Sequence, residues 1–315
     1  MPSSCSWTRC GRISPASIWR RRYGNSRAAS AATVRPLADP LAIAPKSNYA
    51  ELPLRIISAI VIAPPCIAAI WLGAPYIQMI VLAAVFLMAL EWARLVGHDR
   101  NPWLIGVLTV GVPQPVIASF FGSFDLALVL SGLIFLAIMA MTKIAGVPRG
   151  IWLAAGVPAI VLPALSLLFI RDHGEAGLVT ALWLLAVVVA TDVGAYFAGR
   201  TIGGPKLAPR ISPKKTWAGL IGGMVSAGLI GAGAILLIGV GDIILLVIFS
   251  ALLAVVAQIG DLSESAVKRH FGVKDSGTII PGHGGLFDRL DGFLTTLPTV
   301  ALVMALTGTS ILQWQ

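Results

Sequence analysis

Charge is what this chain has least of. Of its 315 residues only 12% are charged, and acidic residues are the rarer half, 14 against 23 lysines and arginines. With 57% hydrophobic residues, so thin a polar set excludes an ordinary soluble domain. Cysteine is scarce too: Cys5, Cys10 and Cys66 have no metal-ligand spacing and offer no disulfide framework, so we read them as inert. The strict alternation of a membrane β-barrel is missing, as is any repeat of fixed period. Neither half reads as an inverted copy of the other, which weakens a secondary-transporter reading. The first 50 residues lack both the uninterrupted apolar core of a signal peptide and any acidic residue before Asp39, while holding seven arginines.

What is present is apolar sequence in long runs. A helix needs about 20 apolar residues to cross about 30 Å of hydrocarbon. Nine such runs recur, roughly 54–73, 75–96, 102–121, 124–141, 150–170, 177–199, 216–239, 241–260 and 286–309. Hydrocarbon offers no partner to backbone N–H and C=O groups, so each run satisfies its own as a helix. The expected fold class is all-α: a polytopic integral membrane helical bundle of about nine transmembrane helices, occupying residues 51–315. Prolines and glycines inside spans, as in IAPPC (62–66) and GVPAIVLP (156–163), read as kinks and close packing. Residues 1–50 read as a basic, disordered extension, a transit peptide or an extended gene start.

Positive loops stay in the cytoplasm. Nine spans with a cytoplasmic N-terminus put residues 97–101, 142–149, 200–215 and 261–285 on that side, with Arg55, Arg94 and Arg289 beside them. Only Arg171 is left outside.

The polar residues gather at that cytoplasmic face. A transporter or channel, the competing class, would concentrate them near the midplane, with Asp192 as an intramembrane ligand. Three clusters stand out. TDVGAYFAGR (191–200) puts Asp192 in an apolar span, where it borders the site or pairs with a neighbouring helix. GGPKLAPRISPKKTW (203–217) spaces Lys206, Arg210, Lys214 and Lys215 with Gly and Pro, giving either a plain positive loop or a shaped one suited to a polyanion. The third runs from Gln258 to Gly292. A helix starting near Gln258 sets Asp261, Ser265 and Lys268 on one face and lets Glu264 pair with Lys268. Beyond it, KDSGTIIPGHGGLFDRLDG (274–292) packs five glycines, His283, Asp288, Arg289 and Asp291 between two apolar runs. Carboxylates from two helix ends beside several cations are the way a protein holds Mg²⁺ with substrate phosphates.

The run SAVKRHFGVKDSGTIIPGHGGLFDRLD, 265–291, closely resembles the signature of phosphatidate cytidylyltransferases, or CDP-diacylglycerol synthases. Its fixed elements stand here as Ser265, Lys268–Arg269, Lys274–Asp275, Gly277, Pro281, His283–Gly284–Gly285, Asp288–Arg289 and Asp291. TDVGAYFAGR, KLAPRISPKKTW and GDLSES are similar to further family segments, so the resemblance covers about residues 50–312. Ala218 stands where the family often has Glu, and Gly292 where it often has Ser.

The resemblance implies transfer of CMP from CTP to phosphatidate with Mg²⁺, in a bacterial inner membrane with the site facing the cytoplasm. It implies CTP, phosphatidate and membrane lipids as partners, no nucleic acid, and allows a homodimer. On this reading Asp261, Asp288, Lys268 and His283 are catalytic, with Asp261 and Asp288 holding metal and Asp291 either a third ligand or paired with Lys or Arg. Lys206, Lys214, Lys215, Ser265, Arg269, Lys274, Gly284, Gly285 and Arg289 bind substrate. His283 orients a phosphate oxygen or fixes the loop by a local hydrogen bond. A CDP-alcohol phosphotransferase, the other enzyme reading, needs an aspartate-rich signature that is not found.

Overall fold

The computed structural model describes residues 63–96, 102–239, 241–277 and 284–313, all within one compact unit, Glu51–Gln315. The N-terminal extension, Cys5, Cys10, Arg55, Pro281 and His283 lie outside the described residues.

Among the described residues eleven α-helices follow in chain order: α1 (Ala63–Leu72), α2 (Tyr76–Leu95), α3 (Pro102–Gly111), α4 (Pro113–Ser119), α5 (Phe124–Ile144), α6 (Gly150–Arg171), α7 (Gly174–Thr201), α8 (Trp217–Ile238), α9 (Ile243–His270), α10 (Phe287–Leu290) and α11 (Phe293–Thr307). Among the described residues seven helices are long and apolar enough to cross a membrane, α3 and α4 counting as one span broken at Val112–Pro113. The protein is thus a polytopic helical membrane bundle. The 54–73 run is described only from Ala63, as the ten residues of α1, and the last run is divided. Its first turn, α10, is separated from the 15-residue α11, because residues 284–292 are committed to the polar site below.

The outer helices show their lipid-facing surface directly. Only four of the 21 residues of α5 are buried, and Leu133, Leu136 and Ile144 are among its exposed apolar side chains. Inside, α7 and α8 make the closest seam. A Cβ on Gly222 would stand 2.2 Å from Ala198 Cβ, and one on Gly194 would stand 2.0 Å from Ser226 Oγ. Small residues let these backbones meet, as expected where lipid gives helices no hydrophobic reason to associate. On the other side of the bundle Gly156 of α6 admits the Trp92 ring, whose Nε1 donates to Trp152 O at 2.8 Å.

The all-α expectation needs one correction. Within the 200–215 loop, β1 (Lys206–Ala208) and β2 (Ser212–Thr216) form an antiparallel hairpin paired Lys206↔Thr216 and Ala208↔Ser212. Pro205, Pro209 and Pro213 rule out a helix there and fix a tight, extended ribbon. Thr216 ends it by capping α8, its Oγ1 accepting from Gly219 N at 3.1 Å.

Candidate active site

Helix α9 runs ten residues beyond its expected apolar end at 260, and this extension carries the chemistry. Asp261, Glu264, Ser265 and Lys268 recur at three- and four-residue spacing, so they share a face. Gly260 brings that face to the α10–α11 junction: a Cβ there would lie 2.5 Å from Asp291 O and from Thr295 Oγ1. The hairpin approaches from another side. On β2 Lys214 is exposed while Lys215 is half-buried, its Nζ pairing with Asp261 Oδ2.

Two groups of carboxylates result. In the first, ligand oxygens of Asp261, Glu264 and Asp291 all lie within 4.8 Å of one another. Ser265 Oγ donates to Asp261 Oδ1 at 3.4 Å, and Gly292 N donates to Asp291 Oδ1 at 2.7 Å. Glu264 is buried and its Oε1 has no hydrogen-bond partner. A buried carboxylate oxygen left without a donor, beside two further carboxylates, is an arrangement that a hard divalent cation satisfies. These residues therefore fit a metal ion.

In the second group every oxygen has a donor. Asp288 Oδ1 accepts from Lys268 Nζ at 2.5 Å, and Oδ2 accepts from Ser276 N at 2.9 Å, Ser276 Oγ at 3.0 Å and Gly285 N at 2.9 Å. Glu91, fully buried on α2, accepts from Leu286 N at 2.8 Å and Phe287 N at 3.0 Å, with Ser276 Oγ at 3.5 Å. Gly285 leaves no room for a side chain at this neck, since its Cβ would stand 2.0 Å from Ser276 Oγ and 2.8 Å from Glu91 Oε2. Lys268 links the groups, donating to Glu264 Oε2 at 2.9 Å as well as to Asp288.

Electrostatics separates two aspartates on one short stretch. Burial opposes the charge on Asp288, yet Lys268 and the N–H groups of Gly285 and Ser276 outweigh it and hold its pKa below the ordinary carboxylate range. Burial and then the Asp261 charge push Asp291 up to about 7, against the Gly292 N–H, with Asp192 adding to the rise. Asp192 thus borders this site from α7.

The fold brings Asp261, Ser265, Lys268, Lys215, Gly284, Gly285, Asp288 and Asp291 together. Lys206, Lys214, Arg269, Lys274 and Arg289 are exposed around it, Arg269 Nη1 donating to Val273 O at 3.0 Å. Two residues escaped the sequence reading. Glu264 was seen only as the partner of Lys268, though its spacing from Asp261 places it on the same face. Glu91 has one sequence signal, a glutamate inside the 75–96 apolar run.

Residues 53–307 match the cytidylyltransferase family. The chain is 38% identical over 269 residues to the phosphatidate cytidylyltransferase of Brucella suis biovar 1 (strain 1330), covering 81% of this chain and 94% of that protein. It is 34% identical over 270 residues to the phosphatidate cytidylyltransferase of Pseudomonas aeruginosa PAO1, covering 81% and 97%. Over a shorter stretch of 139 residues, 44% of this chain and 51% of the other, it is 45% identical to the enzyme of that name from Bacillus subtilis (strain 168). With most of its length so matched, and with the carboxylates and lysines above inside the matched region, the chain belongs to the cytidylyltransferase family.

Proposed function

We infer that this protein is an enzyme that transfers CMP from CTP to phosphatidate, giving CDP-diacylglycerol and pyrophosphate. The observation that carries the reading is the Asp261–Glu264–Asp291 group, with its partnerless buried oxygen and Lys215 and Lys268 on either side. In the reaction a phosphate oxygen of phosphatidate attacks the α-phosphorus of CTP, and the bond to the β-phosphate breaks with pyrophosphate leaving. The nucleophile is already an anion. The protein therefore needs positioning and charge neutralisation more than a strong base.

Mg²⁺, when bound, neutralises charge on the triphosphate and on the departing pyrophosphate. Asp261, Glu264 and Asp291 are the residues to hold it, and Asp288 stands one lysine further out. Lys215 and Lys268 offset the repulsion among the carboxylates by pairing with Asp261, Glu264 and Asp288, and turn toward phosphate oxygens when substrate is present. Lys206, Lys214, Arg269, Lys274 and Arg289 form the outer ring that attracts the polyanion, Ser265 and the Gly284 backbone contact substrate, and His283 orients a phosphate oxygen.

The lipid has its own feature to occupy. A cavity of about 470 Å³ is lined by apolar side chains including Val85, Met88, Leu184 and Phe293, with Arg289 the single charged residue in its wall among the described residues. An acyl chain lies in such a cavity with its phosphate toward the cation. We place the site at the cytoplasmic face of a bacterial inner membrane in a nine-span topology with the N-terminus inside, where a soluble nucleotide and a lipid can meet. Purified protein in detergent, given phosphatidate and labelled CTP, should put label into lipid and release pyrophosphate, and chelation should stop both. No label in lipid under any divalent cation would overturn the reading.

A further inference from the structure

Three consecutive backbone N–H groups, those of Gly285, Leu286 and Phe287, are taken by two carboxylates from different parts of the chain, the buried Glu91 and the half-buried Asp288. Gly285 N donates to Asp288 Oδ2, Leu286 N to Glu91 Oε1 and Phe287 N to Glu91 Oε2. These groups open α10, a single turn of four residues carrying Asp288, with Asp291 immediately after it. One turn of helix does not sustain itself, because its nucleation cost is met by few internal bonds. Its first N–H groups need acceptors from outside. Glu91 supplies two of the three, across 195 and 196 residues of sequence, and does so from a fully buried position.

Burying a carboxylate is costly, and an apolar side chain would fill the same space without that cost. Glu91 is held by donors that all belong to the neck of one loop: Leu286 N, Phe287 N and, at 3.5 Å, Ser276 Oγ. The Ser276 hydroxyl has one proton and stands closer to Asp288, at 3.0 Å, so the two backbone bonds carry the Glu91 contact. From the neck the path continues through Asp288 to Lys268 and through Lys268 to Glu264.

We propose that Glu91 is a positioning residue for the reaction: its two oxygens set the neck at 285–287, and thereby the placement of Asp291 directly and of Glu264 through Asp288 and Lys268. The inference rests on the cytidylyltransferase reading for what the metal-holding group is used for. The role itself is a statement about ion affinity, which is measured without turnover.

The test uses the full chain in detergent with Glu91→Asp, Glu91→Gln and Glu91→Ala, and reads Mn²⁺ affinity by EPR titration together with Tm and the separate kcat and KM for CTP. Gln matches Glu in shape but offers one acceptor oxygen and turns an NH₂ toward the other N–H. Asp keeps both oxygens, one methylene short. A positioning role therefore ranks Asp above Gln in Mn²⁺ affinity, with Gln weaker than wild type by about tenfold or more, the range seen when groups orienting metal ligands are removed. It also lowers kcat more than it raises KM, since the ion's placement and not the nucleotide's first encounter is disturbed. Gln close to wild type with Asp worse would assign Glu91 to packing and overturn the proposal, as would a lowered Tm with unchanged Mn²⁺ affinity in every variant. Should Gln and Ala fail to fold, Asp alone decides: weakened Mn²⁺ binding supports the role, and binding equal to wild type overturns it. If wild type binds Mn²⁺ but leaves CTP intact, the reaction reading fails, and the Mn²⁺ ranking still decides the role of Glu91.

Discussion

Asp288 and Asp291 stand three residues apart and meet opposite surroundings. Asp288 is surrounded by donors, one ammonium, one hydroxyl and two backbone N–H groups, and its pKa is held low. Asp291 faces other carboxylates and accepts from Gly292 N, and its pKa is raised to about 7. The same contrast divides the whole site. The neck formed by Glu91, Ser276, Gly285 and Asp288 is a closed hydrogen-bonded unit, whereas the Asp261–Glu264–Asp291 group carries excess negative charge and an unused buried oxygen. Satisfied carboxylates build shape, and unsatisfied ones are ready for a ligand. Burial alone does not distinguish the two, since both Glu91 and Glu264 are buried.

Breaking the unsatisfied group should have the largest effect. Asp261→Asn, Glu264→Gln and Asp291→Asn are each expected to lower kcat/KM by about a hundredfold or more, because metal charge stabilisation is worth several kcal/mol. Tm should change little in Asp291→Asn, since removing that charge relieves repulsion from Asp261 and Asp192. Initial rates over a Mg²⁺ titration check this. A variant restored to full rate by more Mg²⁺ keeps its place as a ligand, and one unaffected at every concentration does not hold the ion.

Lys268 touches both regions, so its loss should register in both. Lys268→Met leaves the buried Glu264 and the half-buried Asp288 without their cation, at about 3–5 kcal/mol by the behaviour of broken buried pairs. A clear fall in Tm is expected along with loss of activity. Lys215→Met breaks one more accessible pair and should lower kcat/KM about ten- to a hundredfold, from a charge-assisted contact of about 1.5–3 kcal/mol, with a smaller change in Tm. Equal Tm losses in the two variants would erase the distinction.

Asp288→Asn sharpens the comparison through pH. A carboxyl whose folded pKa lies below its unfolded value, about 3.9 for aspartate, contributes stability that is present above the unfolded pKa. That contribution is lost as pH falls through the folded pKa. The Tm difference between wild type and Asp288→Asn should therefore be full at neutral pH and narrow as the solution is acidified below about pH 4. A difference constant down to pH 2 would mean that Asp288 is not the anchored anion described. The smallest effect belongs to the outer cations. Lys274 is exposed, and Lys274→Ala should change kcat/KM only a few-fold and lose even that at high salt.

Much of this was readable before any coordinates. Apolar runs mark the helices because hydrocarbon imposes length and internal hydrogen bonding on every span. The α9 face carrying Asp261, Ser265 and Lys268 follows from helical periodicity alone, and Asp192 falls beside the site as its position in an apolar span suggested. What could not be read is whatever depends on residues distant in sequence. The hairpin pairing that turns Lys215 toward Asp261 and the recruitment of Glu91 by Leu286 and Phe287 are of this kind. The division of labour between Asp288 and Asp291 was hidden for a related reason: both are aspartates at the start of the last apolar run, and only the identity of their neighbours separates them.

The most direct measurement is equilibrium Mn²⁺ binding by EPR to detergent-purified wild type, Asp291→Asn and Asp288→Asn at one pH and salt. The expected result is saturable binding by wild type, a loss of about a hundredfold in Asp291→Asn, and a smaller loss of about tenfold in Asp288→Asn, where only an orienting group is gone. The reverse order, with Asp288→Asn unable to bind and Asp291→Asn equal to wild type, would put the ion in the neck and contradict the assignment of the metal site to Asp261, Glu264 and Asp291.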